Sequence, residues 1–146
     1  MKVRDIMTAD VHIVGPDTPL KDAAAMMRDR NTGFLPVGDV TQVVGTLTDR
    51  DITIRSAAAG RDPNKATVRD AMGDKVVSCR EDDPVETATD LMARHQVRRL
   101  CVLNAEQRLV GVLSLGDVAT RTHDLMHTGE AVTGISRKTA APASAA

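Results

Sequence analysis

The chain has 146 residues and a formal charge of -1, and it is most simply one domain with a real hydrophobic core. This charge balance provides no electrostatic footprint for nucleic acid or an anionic membrane, and a single Phe without Tyr or Trp excludes stacking platforms for single-stranded nucleic acid. No apolar run approaches the roughly 20 residues of a membrane-spanning helix. Residues 1–5 lack the apolar region of a signal peptide, so we expect a cytoplasmic protein with Cys79 and Cys101 reduced.

The sequence contains an internal repeat. Eight positions recur at a shift of 65 residues, and the shift becomes 66 after the second predicted strand, where Gly45 matches Gly111. Because each copy alone is near the lower size limit for independent folding, the two copies should pack together. We expect unit 1 at residues 1–58, a linker at 59–67, unit 2 at 68–127, and a C-terminal extension at 128–146 that is flexible at its end. The positions at the shift of 65 pair Val3, Asp5, Met7, Pro19, Ala23, Met27, Leu35 and Val37 with Val68, Asp70, Met72, Pro84, Ala88, Met92, Leu100 and Val102.

The first copy begins with a short predicted strand at residues 11–14. A helix then starts at Thr18-Pro19, with proline at the first helical position and apolar residues at helical spacing. Residues 34–37 and 43–47 form a predicted hairpin that leads into a second helix. The pattern therefore predicts the order β-α-β-β-α.

The second copy repeats this order. A strand is predicted at 76–79, a helix from Asp83-Pro84, and a hairpin from 100–103 and 109–113. We expect the last helix to run to about Met126, with a further short turn over 129–135. The fold class predicted for the chain is α+β, with two tandem β-α-β-β-α units.

One motif occurs at the same place in both copies, where the last strand of each unit runs into its helix. It reads Gly45-Thr46-Leu47-Thr48-Asp49-Arg50-Asp51 and Gly111-Val112-Leu113-Ser114-Leu115-Gly116-Asp117. A hydroxyl residue followed three positions later by Asp has the spacing of a capping box, which is the structural interpretation. A helix N-terminus also attracts anions, and a hydroxyl and carboxylate beside it can hold a ribose. Recurrence in matched settings strengthens the second interpretation.

These features resemble a tandem pair of cystathionine β-synthase (CBS) domains, and the resemblance covers nearly the whole chain. Val3-Arg4-Asp5-Ile6-Met7 and Val68-Arg69-Asp70-Ala71-Met72 precede the units, and His95-Gln96-Val97-Arg98-Arg99-Leu100 precedes the second hairpin. With nothing fused to the pair, the sequence looks like the small stand-alone bacterial CBS proteins of the hypoxic-response type. The resemblance implies a pseudo-twofold pair with two clefts, which bind AMP, ADP or ATP, and a disc-like homodimer.

The resemblance also implies roles for individual residues. Asp51 and Asp117 would accept hydrogen bonds from ribose hydroxyls, and Thr48 and Ser114 would contact ribose or phosphate. The adenine would lie near the first strand of each unit. The residues that this implies for the base are His12, Ile13, Val76 and Val77.

The two copies differ beside the motif. The second has Arg98-Arg99 where the first has Gly33-Phe34. Arginine suits phosphate, so both arginines are candidate phosphate ligands, and the alternative is an exposed pair that protects a strand edge. In the first motif Asp49 would repel a polyphosphate unless Arg50 offsets it, so this cleft should bind more weakly.

His123 and His127 have i, i+4 spacing on the predicted last helix and are the weak candidates for a metal site. No third ligand is evident, and neither cysteine has metal-site spacing, so we expect no metal. The sequence also lacks a nucleophile with a paired base and a glycine-rich phosphate loop, so we expect no catalytic residue, no catalytic cofactor and no enzyme.

The leading hypothesis is a non-enzymatic regulatory module that binds adenine nucleotides and responds by conformational change. The alternative is a structural or interaction dimer whose clefts are vestigial and empty. In both cases we expect a homodimer through helices of both repeats, because apolar residues at 57–59 and 125–126 occupy a second helix face. No nucleic acid or membrane partner is expected.

Overall fold

The computed structural model describes residues 1–137, so the predicted flexible end of the chain, from Thr139 to Ala146, lies outside the described residues. The described part alternates short helices and strands and confirms the predicted α+β class. The elements, in chain order, are α1 (Val3–Ile6), α2 (Leu20–Arg30), β1 (Phe34–Gly38), β2 (Val43–Thr48), α3 (Asp49–Ile52), a π-helical turn (Thr53–Ala57), α4 (Val68–Ala71), β3 (Ser78–Arg80), α5 (Val85–His95), β4 (Arg99–Leu103), β5 (Leu109–Ser114), α6 (Leu115–Arg121) and α7 (Leu125–Ser136).

One compact unit contains residues 10–76 and 103–110. In it, β1 and β2 pair as the predicted antiparallel hairpin, with Leu35 opposite Leu47, and α2 buries its apolar face beside them. Burial of these aliphatic side chains is the main stabilising contribution, at roughly 1.5–3 kcal/mol for each large one. The buried residues of this core are Val14, Leu20, Ala23, Met27, Leu35, Val37, Leu47, Ala66, Val68 and Ala71.

The strand predicted at residues 11–14 is wrong in extent. Only Val14 forms a bridge, parallel to Val37, with its N–H donating to the Pro36 carbonyl at 3.1 Å. The chain turns directly afterwards, since the Thr18 N–H donates to the Gly15 carbonyl and Pro16 has no N–H for a ladder. Apolar alternation alone does not reveal that the ladder stops after one residue.

The other compact unit contains residues 1–9 and 77–102, together with the described residues from 111 onward. Strands β3, β4 and β5 form one sheet in that order, and the first strand of the second copy lies at Ser78–Arg80 rather than at 76–79. Helix α5 buries Val85, Ala88 and Met92. It ends at a left-handed residue, Gln96, as α2 does at Asn31, so the two repeats share this helix stop.

Each short helix that precedes a repeat packs on the other repeat. Thr8, just after α1, pairs with Val112 of β5, and Gly73, just after α4, pairs with Thr46 of β2. Here the motif glycines come close to the crossing chain, since a Cβ on Gly111 would lie 2.6 Å from the Met7 sulfur. The two compact units are therefore interleaved along the sequence.

Two arginines that the sequence analysis missed secure these crossing segments. Arg55 donates to the Met72 carbonyl at 2.8 Å, and Arg121 donates to the Ile6 carbonyl at 2.8 Å. Arg55 and Arg121 are themselves related by the shift of 66 residues, which is the signal that could have identified them. Each satisfies carbonyls at the end of a four-residue helix, where intrahelical partners are lacking.

The C-terminal helix differs from the prediction. Instead of one helix to about Met126 and a short turn, α6 stops at Arg121 and α7 runs for 12 residues from Leu125. The break has a local cause, because Thr122 Oγ1 accepts from the Asp124 N–H and Asp124 accepts from the His127 N–H, which caps the new helix. His123 lies in this break with a φ of 56°.

Helix α7 packs against α5 and α6. Ala131 is its buried residue, and Gly134 lies so close to α5 that a Cβ there would be 2.5 Å from the Cβ of Ala93. Small residues at such a contact allow two helix backbones to approach closely. No helix in residues 1–137 has the length and apolarity to cross a membrane.

Candidate ligand-binding site

Both motifs form complete capping boxes. Asp51 Oδ2 accepts from the Thr48 N–H at 2.9 Å, while Thr48 Oγ1 accepts from the Asp51 N–H at 3.1 Å. In the second copy the corresponding distances between Ser114 and Asp117 are 2.9 and 3.0 Å. These bonds satisfy donors that a helix start leaves unpaired, so the structural interpretation of the motif is realised in both copies.

Capping leaves part of each motif free for a ligand. The Ser114 oxygen accepts one bond, so its hydroxyl proton can still be donated. Asp117 uses Oδ2 for the cap, and its Oδ1 lies 3.8 Å from Arg121, at the long end of an ion pair. The Asp117 side chain is 15% exposed, so a group reaching Oδ1 would meet a largely desolvated carboxylate.

A cavity of about 440 Å³ adjoins the second motif, within the unit that contains α5, α6 and α7. It brings together three of the predicted site residues, namely Arg98, Arg99 and Ser114. The start of β4, the start of α6 and one side of α7 form its walls. The full lining is Arg98, Arg99, Ser114, Leu115, Gly116, Ala119, Thr128, Val132, Ile135 and Ser136.

The charge of this cavity is basic. The Arg98 side chain is exposed and forms no ion pair with any of residues 1–137, and Arg99 is half-buried beside it. The Arg98 carbonyl accepts from the Leu115 N–H at 2.8 Å, which fixes the arginine pair next to the motif helix. A guanidinium placed in this way suits an anionic group such as phosphate.

Four cavity residues come from α7, and the sequence analysis did not identify them. They are Thr128, Val132, Ile135 and Ser136. Thr128 Oγ1 is fully buried and has no hydrogen-bond partner within the described chain, whereas buried polar atoms are normally paired. No sequence signal indicated them, because the region was interpreted as an extension with a short turn.

The first copy has the same backbone arrangement with the opposite charge. The Asp49 N–H donates to the Gly33 carbonyl at 3.0 Å, as Leu115 does to Arg98. The Asp49 carboxylate lies over Gly33, since a Cβ there would be 2.8 Å from its Oδ2. Arg50 follows on the exposed side of α3, where its N–H donates to the Asp49 carboxylate at 2.9 Å.

The residues predicted to surround the adenine are half-buried. His12 is 21% exposed in its side chain and lies 3.5 Å from Asp10, and Ile13 precedes the Val14 bridge. The Val77 carbonyl accepts from the Cys101 N–H at 3.1 Å, next to Val76. None of the four belongs to the lining of the cavity described above.

Both cysteines are buried free thiols. Burial raises the pKa of Cys79 to about 12 and that of Cys101 to about 11. For Cys79, the negative charges of Asp83 and Cys101 contribute to this value in the same direction as burial, and to a smaller extent. Such thiols remain protonated at neutral pH, so they have neither the nucleophilicity nor the metal affinity of a thiolate.

His123 and His127 do not share one helix, so the i, i+4 arrangement that made them a candidate pair is wrong. His127 lies in the first turn of α7, where its Nδ1 is 2.6 Å from Asp124 Oδ2. That hydrogen bond and the charge of Asp124 raise the pKa of His127.

The comparisons with known proteins agree with this fold. The model of the CBS domain family matches residues 3–57 and 68–124. The CBS domain-containing protein YhcV of Bacillus subtilis is 38% identical over 136 residues, which cover 93% of this chain and 96% of that protein. Hypoxic response protein 1 of Mycobacterium tuberculosis is 42% identical over 117 residues, covering 80% of this chain and 81% of that protein.

Solved structures give the same result. The crystal structure of Hypoxic Response Protein I with two coordinated zinc ions has a TM-score of 0.70 at 40% identity, and covers 82% of this chain and 97% of its own. The crystal structure of CBSX2 in complex with AMP has a TM-score of 0.69 at 26% identity. The match covers 86% of this chain and 98% of the CBSX2 chain.

Proposed function

The chain belongs to the CBS domain family, as its two motifs predicted, and we propose that it is a non-enzymatic regulatory module that binds an adenine nucleotide of the AMP, ADP or ATP class. The observation that carries the proposal is the cavity beside the second motif, which joins Arg98, Arg99 and Ser114 in one compact unit. Its buried, unpaired Thr128 hydroxyl also supports a polar ligand. The family member CBSX2 has been solved with AMP.

Each residue has a chemical role in this proposal. Arg98 and Arg99 bind phosphate through charge-assisted hydrogen bonds, and Ser114 donates to ribose or phosphate. Asp117 accepts from ribose hydroxyls through the oxygen that the cap does not use. Family resemblance assigns the base to the half-buried Val76 and Val77.

The first motif is the weaker site in this proposal. Thr48 and Asp51 offer the same hydroxyl and carboxylate, and His12 and Ile13 would face the base. Asp49 places an additional carboxylate where the second copy has Leu115, so polyphosphates meet repulsion there. We therefore assign the high-affinity site to the second copy.

A conformational response follows from the composition of the cavity wall. The lining comes from β4, α6 and α7, so a ligand that contacts all three favours the arrangement in which they are close together. A ligand shifts such an equilibrium only by the difference between its affinities for the two arrangements. Nucleotide binding should therefore order α7 against α6.

A homodimer is part of the proposal. Leu125 and Met126 are 83% and 70% exposed, and Ile54 beside the exposed Ala57 is 47% exposed, which leaves large apolar side chains on helices of both repeats. Association would remove them from water. Sedimentation velocity at micromolar concentration should give a dimer, and a monomer would contradict this part.

The function is tested by calorimetry with adenosine, AMP, ADP and ATP on the full chain. Asp117→Ala should weaken nucleotide binding about tenfold or more, since a hydrogen bond to a charged group is worth roughly 1.5–3 kcal/mol. Asp51→Ala is the matched control, because it removes the equivalent capping box outside the high-affinity site. Both variants should lose similar stability, about 1 kcal/mol for a cap.

The alternative function is a structural or interaction dimer with unliganded clefts. The observation in its favour is that both motifs already serve as complete capping boxes, which explains their residues without a ligand. If the wild-type chain binds none of the four compounds while it remains a folded dimer, the sensor proposal is rejected in favour of this alternative.

A further inference from the structure

Three potential metal ligands converge where α7 begins. Glu86 lies in the first turn of α5, Asp124 caps α7, and His127 lies in the first turn of α7. One ligand atom from each lies within 4.8 Å of the other two. All three residues belong to the same compact unit, and α5 and α7 pack against each other.

The charge around this cluster is uncompensated. No Lys or Arg within residues 1–137 forms an ion pair with Glu86, Asp124 or the nearby Glu130. The imidazole of His127 is the one cationic partner of Asp124 there, and it is charged only when protonated. The cluster therefore holds two carboxylates that no Lys or Arg of the described chain pairs with.

The ligand set selects a class of metal. One imidazole nitrogen with two carboxylates suits Zn²⁺ and similar divalent transition ions, and three protein ligands leave coordination positions for water. Ca²⁺ and Mg²⁺ prefer sites made only of oxygen atoms. The ion would replace the proton on the His127 nitrogen and the hydrogen bond from that nitrogen to Asp124.

We propose that Glu86, Asp124 and His127 form a site for a divalent transition-metal ion that fastens the start of α7 to the start of α5. Glu86 and Asp124 lie within the segment matched by the CBS family model, which ends at residue 124, and α7 adds His127 beyond it. Thr128 follows His127 directly and lines the cavity. Occupancy by the metal would therefore hold one wall of the cavity in place.

The binding test uses the full chain, treated with a chelator and titrated with Zn²⁺ and then Co²⁺ in the absence of nucleotide. The expected result is one ion per chain, with an affinity that falls at least tenfold in Glu86→Gln and in His127→Asn. His123→Asn is the matched control, since this histidine lies in the α6–α7 break and outside the cluster. The Co²⁺ spectrum should lack a thiolate charge-transfer band.

Glu86→Gln keeps the test decisive if His127→Asn disturbs α7, because Glu86 lies on α5 and takes no part in the cap of α7. Hydrogen exchange gives the second readout, in which Zn²⁺ should slow exchange of α7 amides in the wild type and in His123→Asn but not in Glu86→Gln. The proposal is overturned if no ion binds, if binding survives Glu86→Gln unchanged, or if Zn²⁺ binds without protecting α7.

Discussion

The regions around the two motifs share a backbone and differ in charge. In both, a capping box joins strand to helix, and the first helical N–H donates to the residue that precedes the hairpin, at 3.0 Å in the first copy and 2.8 Å in the second. Around this frame the first copy carries Asp49, Arg50 and Asp51, and the second carries Arg98, Arg99 and Asp117. The same scaffold therefore presents a net negative site in one copy and a net positive site in the other.

The residues that differ between the two copies are in contact with one another. Asp49 requires a glycine at position 33, because a side chain on residue 33 would meet the carboxylate of Asp49. In the second copy the position of Asp49 is taken by Leu115, and the position of Gly33 is taken by Arg98. A duplicated frame can thus acquire two ligand preferences through a few paired substitutions, while the capping boxes keep the helices in place.

The largest effect is expected when the basic pair of the second copy is removed. Arg98→Ala combined with Arg99→Ala should reduce ATP affinity about a hundredfold, since two charge-assisted hydrogen bonds are each worth roughly 1.5–3 kcal/mol. Adenosine affinity should change little, because it has no phosphate. Isothermal calorimetry with both compounds measures the difference.

Arg94→Ala is the control for that experiment, since Arg94 is exposed on α5 and does not line the cavity. It lowers the net charge without touching the site. Equal losses of adenosine and ATP affinity in the double variant would show that the arginines do not read phosphate.

The next effect concerns α7, which forms one wall of the cavity beside the second motif. Gly134→Ala should destabilise the fold by about 1–3 kcal/mol, the usual cost of overpacking, because its Cβ would collide with Ala93. Gly129→Ala should instead stabilise α7 by up to about 1 kcal/mol through helix propensity, because within residues 1–137 a Cβ there would meet nothing within 4 Å beyond its own stretch of helix. Urea unfolding of the two single variants gives both values, and equal effects would contradict the packing of α7 on α5.

Much of this architecture could be predicted from the sequence. Apolar alternation located both hairpins, and the repeated Thr-x-x-Asp and Ser-x-x-Asp spacing located both helix starts. These features depend on residues close together in the chain, where spacing and geometry are directly linked. The family assignment depended on the same short motifs and is confirmed.

The rest depends on contacts that local patterns do not encode. The break at His123 arises because Thr122 and Asp124 bond to nearby backbone groups, which competes with continuation of the helix. The contribution of α7 to the cavity wall could not be predicted, because it depends on the packing of Gly134 against Ala93 on another helix. Arg98, Arg99 and Ser114, which the sequence analysis named as ligand candidates, line one cavity. The role of each in binding stays a prediction.

A smaller effect tests the coupling of Gly33 with Asp49. Gly33→Ala alone should destabilise the first copy, and in the Asp49→Leu background, which imitates the second copy, the same change should cost less. Because a carboxylate can rotate away, we expect a coupling energy of only about 0.5–1 kcal/mol in a double-mutant cycle. Additive effects would mean that the two positions vary independently.

The smallest expected effect is the pH dependence of α7 docking, measured without metal. The hydrogen bond to Asp124 and the charge of that carboxylate raise the pKa of His127, with smaller contributions from Glu130 on α7 and Glu86 on α5. A raised pKa means that the imidazolium stabilises the fold fully below the ordinary value near 6.5 and that this stabilisation is lost as pH rises through the folded-state pKa.

Asp124 behaves in the opposite sense. Hydrogen bonds from His127 to Asp124 lower the pKa of Asp124, so its contribution is present above its ordinary value and is lost as pH falls through the lowered one. The Asp124–His127 pair should therefore stabilise α7 most at pH values between the lowered pKa of Asp124 and the raised pKa of His127. Amide exchange in α7 should become faster as pH rises through the folded-state pKa of His127. The increase should exceed the intrinsic acceleration of exchange with pH, which the His127→Gln variant measures. Titration of the His127 ring by NMR provides the direct check, and a His127 pKa at or below the ordinary value would contradict the interaction.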